Sequence, residues 1–158
     1  MEKQVFNDQN EHFMDEALNL AKKALKKDEV PIGAVIVLDG KIIAKGFNTR
    51  QHGHDATSHA EIIAIRKACK KLKDFRLNDA VMYVTLEPCL MCLGAVLNSR
   101  IKTVYFGARN NKENAMDINE IAKQAELNHL TEFVGGIKEE ECSVLLSTYF
   151  KNKRKTSL

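Results

Sequence analysis

A chain of 158 residues with 44% hydrophobic and 28% charged residues has the proportions of one globular domain, 1–158, able to bury a sizeable core. No stretch approaches the roughly 18 consecutive apolar residues of a membrane span, and residues 1–30 lack the apolar run of a signal peptide. The composition therefore excludes a membrane-spanning chain and points to the cytoplasm, where cysteines stay reduced. The net charge of +3 decides little by itself, but Lys151, Lys153, Arg154 and Lys155 crowd the C-terminus, as a solvated tail or as a contact for nucleic acid.

From Gln9 to Lys27, Phe13, Ala17, Leu20, Ala21 and Ala24 recur at helical spacing, with Lys22, Lys23, Lys26 and Lys27 gathered where they complement the helix dipole. Pro31 and Gly33 lead into the apolar run Ala34 to Leu38. Asp39-Gly40 then marks a two-residue hairpin turn, and Lys41 to Asn48 supplies the returning strand. Thr49 to Ser58 is polar and contains Gly53, so it reads as a loop, with His52 and His54 as surface histidines. A second helix is expected from His59 to about Lys71, burying Ile62, Ile63 or Ile65, and Cys69, with Arg66, Lys67, Lys70 and Lys71 outward.

Val81 to Thr85 reads as a short strand, a helix opens at Pro88 and runs to about Ser99, and Lys102 to Gly107 is a further strand. Strand, helix and strand with short links imply a parallel crossover, whose ligand sites lie at the carboxyl ends of the strands. Residues 115–126 are expected to be helical and Thr131 to Val134 to form a last strand. Lys138 to about Arg154 reads as a terminal helix with Cys142, Leu145, Leu146 and Tyr149 inward.

The chemistry concentrates in His59-Ala60-Glu61 and Pro88-Cys89-Leu90-Met91-Cys92. One His and two Cys can give three ligands to a tetrahedral zinc, leaving the fourth position for water, which is the arrangement of a catalytic site. Cys89 and Cys92 stand at i and i+3 in the first turn of a helix, where free N–H groups and the dipole favour thiolates. Glu61 lies roughly 200° around a regular helix from His59, so both can face one metal only if the helix starts at His59. A glutamate there need not ligate the metal; it can take a proton from bound water and pass it on. Alone, Cys-x-x-Cys reads equally as a redox pair or half of a structural zinc site. His-x-Glu followed by Pro-Cys-x-x-Cys is the pattern of zinc-dependent nucleobase deaminases.

Further stretches extend the pattern: Glu29-Val30-Pro31-Ile32-Gly33-Ala34, Phe47-Asn48, Tyr83-Val84-Thr85-Leu86-Glu87, Ser99-Arg100-Ile101 and Phe106-Gly107-Ala108-Arg109. With them the chain resembles the bacterial tRNA-specific adenosine deaminases of the cytidine deaminase superfamily, from about Phe13 to Arg154. The resemblance implies a three-layer α/β/α fold with a five-stranded mixed sheet, a homodimer, and hydrolytic conversion of the wobble adenosine of a tRNA anticodon to inosine. It implies one Zn2+ held by His59, Cys89 and Cys92, with Glu61 as proton shuttle and Asn48 as a contact to the base.

Downstream of Arg109 the chain departs from the family: Asn110 replaces the usual Asp near the substrate, and Glu113-Asn114-Ala115-Met116-Asp117 replaces a glycine-rich run. Asn110, Lys151, Lys153 and Arg154 are thus expected substrate contacts, with the anticodon stem-loop as the partner. Two other functions fit the same motifs. One is a free guanine or related nucleobase deaminase, and the other is a catalytically silent zinc- or RNA-binding module, which would have no use for Glu61.

Overall fold

In the computed structural model, which describes residues 5–110, 117–125 and 129–156, the first helix, α1, spans Asp8–Lys26. Asn7 caps it by accepting the Asn10 N–H, Asp8 and Glu11 occupy its first turn, and Lys23 and Lys26 its last. Phe13, Met14, Ala17, Leu20, Ala21 and Ala24 form its buried stripe. The helix ends in a Schellman motif, with Asp28 left-handed (φ 58°) and the Glu29 N–H on the Ala24 carbonyl.

Strand β1 (Gly33–Leu38) turns through Asp39 and Gly40, both with positive φ, into the antiparallel strand β2 (Lys41–Phe47), as the Asp-Gly pair requires. Helix α2 covers Ala60–Leu72, and β3 (Val81–Leu86), α3 (Leu90–Asn98) and β4 (Thr103–Ala108) form the expected crossover, with β3 and β4 parallel. Helix α4 (Ile118–Gln124), β5 (Glu132–Gly135) and α5 (Glu139–Thr156) complete the chain. The sheet order is β2-β1-β3-β4-β5. It is mixed, because β1 is antiparallel to β3 while β3, β4 and β5 run parallel.

The layers follow from two glycines. Ala34 pairs with Gly46 and Gly33 with Phe47, and successive residues of a strand face opposite ways, so Gly33 and Gly46 open opposite faces of the sheet. A methyl on Gly33 would overlap the Ala17 carbonyl of α1, and one on Gly46 the Ala60 carbonyl of α2. Both helices therefore sit at backbone contact, one on each face, and Ala at either glycine costs about 1–3 kcal/mol through overpacking. On the α1 face, Phe13 meets Tyr83, which stacks on Tyr105. Two residues along, Cys142 of α5 seats on Gly107, placing α5 beside α1. The three-layer arrangement with a five-stranded mixed sheet is the expected one.

Two expectations need correction. The close approach of α2 turns Ala60, Ala64 and Ala68 to the sheet, and its buried stripe also takes Glu61 and, of the expected isoleucines, Ile65, while Ile62, Ile63 and Cys69 are half-exposed. Helix α4 is shorter than expected because Asp117 caps it, accepting the Asn119 N–H. Residues 115, 116 and 126 of that expected helix lie outside the described residues, as does 113–116 of the departing run. No helix among the described residues is long and apolar enough to cross a membrane.

Strand directions decide where a site can form. The start of β1 and the ends of β2, β3 and β4 share one edge, where the Thr85 hydroxyl accepts the Gly33 N–H at 3.2 Å. That edge carries Asn48 after β2 and the Pro88 to Cys92 segment after β3.

Candidate active site

Both motifs sit at helix starts. His59 is the N-cap of α2 and Cys89 the N-cap of α3, each with extended backbone and neither using its side chain as a cap. The cap of α2 is supplied from outside: Asn48, buried at the end of β2, accepts the Ala60 N–H on Oδ1 at 2.8 Å. The imidazole is thereby left for other work. Pro88 precedes the α3 cap, so Cys89 stands at the cap and Cys92 in the first turn, buried.

His59 Nδ1 lies 3.5 Å from the Sγ atoms of both Cys89 and Cys92. All three donor atoms fall within 4.8 Å of one another, the one such metal-holding group among the described residues. The thiols are poised unequally. The Cys92 thiol and the backbone N–H groups of Cys92 and Met91 bring the Cys89 thiol down to about 5, with burial opposing, and the same Cys89 contact together with burial pushes Cys92 up. The neighbouring thiol, with smaller help from the N–H groups of the helix start, thus favours the thiolate of Cys89. His52 and His54 take no part: the His52 ring is 2.9 Å from Glu29.

Glu61, in the first turn of α2, is 4% exposed. Burial pushes its carboxyl up to about 7, and its own backbone N–H and the Cys92 thiol counter only part of that effect. A buried carboxyl that titrates near neutrality beside a metal site has the properties of a proton carrier.

The remaining expected residues are more dispersed. Asn110 is exposed at the end of β4, with its backbone N–H 3.3 Å from Glu87 Oε2, beside a cleft of about 280 Å³ lined by Glu87, Arg109 and Asp117. Lys151 and Arg154 are exposed on the last turns of α5. Lys153 instead places its ammonium on the Asp28 carboxylate and over the Tyr149 ring. Sequence reasoning missed Thr85 as a clasp between strands, and it missed Glu29, 1% exposed, which receives the backbone of the 49–58 loop. The second could have been noticed: the position just after a Schellman turn commonly holds an apolar residue, and here it holds a carboxylate.

Comparison with known proteins places this geometry among deaminases. Residues 7–141 match the family model described as MafB19-like deaminase. The chain is 46% identical over 148 residues to the tRNA-specific adenosine deaminase of Bacillus subtilis (strain 168), covering 93% of this chain and 92% of that one. It superposes with a TM-score of 0.79 and 42% identity on a structure from work on A-to-I editing by tRNA:A34 deaminases at the wobble position of transfer RNA, covering 85% of this chain and 99% of that one. A guanine deaminase from Nitrosomonas europaea superposes with a TM-score of 0.78 at 23% identity, covering 93% of this chain and 86% of that one, a likeness of fold alone.

Proposed function

The chain belongs to the tRNA-specific adenosine deaminases, and from that premise we propose that it converts adenosine to inosine by hydrolysis at the wobble position of a tRNA anticodon. One observation carries the reading: a buried carboxylate, Glu61, stands beside three converging metal donors at the carboxyl edge of the sheet.

Zinc fits the donor set. One imidazole and two thiolates match its preferences, and bonds of about 2.3 Å to sulfur and about 2.0 Å to nitrogen at tetrahedral angles put those atoms about 3.6 Å apart. The observed separations are 3.5 Å. His59, Cys89 and Cys92 would hold the ion, and the chemistry it supplies when bound is Lewis acidity, which activates water at neutral pH.

The proton movements fall to Glu61, which takes a proton from the attacking water and delivers it to N1 of the adenine. It then takes the second proton from the hydroxyl now on C6 and hands it to the amine, which leaves as ammonia. Burial disfavours the charged form of this carboxyl, which suits a group that must hold a proton as well as release it. With Oδ1 committed to Ala60, Asn48 offers its amide hydrogens to the base.

A nucleic-acid partner is supported by the meeting of two basic helix ends. Lys22, Lys23, Lys26 and Lys27 of the α1 end, and Lys151, Arg154 and Lys155 of α5, are exposed on helices joined at Asp28, which receives both Lys153 and the Tyr149 hydroxyl. Asp28 is one residue from the start of the segment that leads to the site edge. A homodimer belongs to the same proposal: Leu90 is 74% exposed beside the metal donors and Met91 is also exposed, an apolar surface that a second copy would cover. Cytoplasmic location follows from the substrate.

Incubation of purified protein with an anticodon stem-loop, free adenosine and free guanine, reading inosine and ammonia, tests the proposal. Inosine from the stem-loop alone is the expected result. Ammonia from guanine would establish a free-base deaminase, and no product with RNA still bound would establish a silent module.

A further inference from the structure

We propose that Glu29 is a positioning residue that holds the loop 49–58 against the end of α1 and so fixes the rim of the active site on which RNA is seated. Resting on the tRNA reading above, the inference concerns a residue to which that chemistry gives no task.

The loop joins Asn48 to His59, so its two ends are a proposed base contact and a metal donor. Its base is closed internally, by Thr49 N–H on the Ser58 carbonyl at 3.1 Å. Asp55 stiffens the returning half by accepting the Thr57 N–H and hydroxyl at 2.8 and 2.7 Å and the Ser58 hydroxyl at 3.0 Å. None of these bonds says where the loop lies relative to the sheet.

That placement comes from one carboxylate. Glu29 Oε1 accepts the backbone N–H groups of Gln51 and His52, each at 2.9 Å, and stands 2.9 Å from His52 Nδ1, while Oε2 is 3.3 Å from the Gln51 N–H. Among the described residues, every hydrogen bond from 49–58 to the protein beyond residues 48–59 ends on Glu29. Packing does not substitute for it. Gln51, His52, Gly53 and His54 are exposed, and between Glu29, Val30 and the loop runs an open cleft of about 370 Å³.

The carboxylate is itself immobilised. Its backbone closes the Schellman turn of α1 through the 3.0 Å bond to Ala24, with left-handed Asp28 before it and Pro31 shortly after. Although burial alone would raise it, the His52 ring and the two backbone N–H groups hold the carboxyl below its usual range, so it grips the loop as an anion. A side chain spent on closing a helix would be apolar here. A buried anion aimed at the backbone of a distant loop places that loop.

The consequence is a division between seating and chemistry. Loss of Glu29 leaves His59, Cys89, Cys92 and Glu61 in place but lets Arg50, His52 and His54, which the loop presents to solvent, wander. The test compares Glu29→Ala, Glu29→Asp and Glu29→Gln with wild type in the metal-loaded full chain. Metal stoichiometry, kcat and KM on the anticodon stem-loop, and amide exchange at Gln51 and His52 without RNA are measured.

In Glu29→Ala the two amides should lose protection, metal should stay at the wild-type level, and KM should rise about tenfold with kcat within about threefold. Glu29→Gln keeps an acceptor oxygen for both N–H groups and should restore KM. Should the Ala variant not fold, Glu29→Asp, whose carboxylate falls one methylene short, must show the raised KM. Unchanged KM with deprotected loop amides overturns the proposal, as does a fall in kcat at constant KM or a loss of metal. Because exchange is read without RNA, it stands even if the stem-loop proves not to be the substrate.

Discussion

Glu61 and Glu29 each expose little surface, 4% and 1%, but Glu61 lies deep beside the metal donors while Glu29 lies under an exposed loop, and their surroundings drive the two carboxyls in opposite directions. Glu29 collects backbone N–H groups from Gln51 and His52 and the His52 ring, and is held low. Glu61 has its own N–H and a thiol, too little to offset burial, and is pushed up to about 7. Depth and donors act together: a deep carboxyl with few donors becomes a group able to exchange protons near neutrality, and a shallower one given several N–H groups becomes a fixed anion that organises backbone.

The largest expected effect tests the reactive half of this contrast. Glu61→Ala should lower kcat by about 10²- to 10⁴-fold while retaining metal, since it removes a proton carrier and no ligand. His59→Ala or Cys89→Ala should instead lose metal and thermal stability together. Equal metal loss in all three, measured by elemental analysis, would erase the distinction between shuttle and ligand.

A smaller effect is the pH dependence of stability, where the two carboxylates must act with opposite sign. The Glu61 carboxyl is raised from an ordinary 4.5, so the folded chain holds its proton more tightly. Its cost is absent below 4.5 and grows to about 3 kcal/mol as pH climbs through about 7. For Glu29, held below the same ordinary value, the contribution is full above 4.5 and disappears as pH falls through its lowered value. Denaturant titrations of chelator-treated protein should show the neutral-side slope flattened by Glu61→Gln and the acid-side slope flattened by Glu29→Gln. Identical slopes in both variants would mean that the two sites do not differ electrostatically.

The same contrast between partnered and open groups recurs among the cations of α5. Lys153 is engaged by Asp28, whereas Lys151 and Arg154 are exposed, so charge removal at the latter pair should weaken stem-loop binding more. Removing one phosphate-neutralising cation should lower the salt slope by roughly one. If affinity keeps the same salt dependence in Lys151→Gln/Arg154→Gln, the end of the helix is solvated. The smallest effect is expected at Asn110, whose backbone is tied to Glu87 while its side chain sits at the surface. Asn110→Asp should raise the RNA-to-DNA ratio of kcat/KM on matched hairpins, because a carboxylate rewards a ribose hydroxyl more than an amide does. An unchanged ratio removes Asn110 from sugar choice.

Local signals are readable in the sequence and distant ones are not. His59-Ala60-Glu61 and Pro88 to Cys92 carry their geometry within a helical turn, and Asp39-Gly40 dictates its own hairpin, so spacing alone places the metal donors and the first strands. It does not place the buried face of α2, because periodicity marks Ile62 and Ile63 as core while the backbone approach to Gly46 turns Ala60, Ala64 and Ala68 inward together with Glu61 and Ile65. Lys153 looks like one more tail cation, and its partner lies 125 residues away. Asn48 reads as the end of a strand and, by resemblance, as a base contact, whereas the structure gives it the capping of α2. Glu29 is visible only as part of a family-like stretch, since its partners are backbone N–H groups that leave no mark in composition.

The reversal of strand direction between β1 and β3 has a kinetic meaning. The hairpin and α2 carry the imidazole, whereas the parallel half carries both thiols, and the two halves meet along the antiparallel pairing of Ala34–Val37 with Val81–Val84. A hairpin forms in about 1–10 μs, but closing a pairing between segments this far apart along the chain is slower. Early in refolding the chain therefore has a histidine and a cysteine pair that have not yet met, and neither half can complete the three-donor set. Uptake of a spectroscopically visible substitute ion such as cobalt would then time the moment when that seam closes.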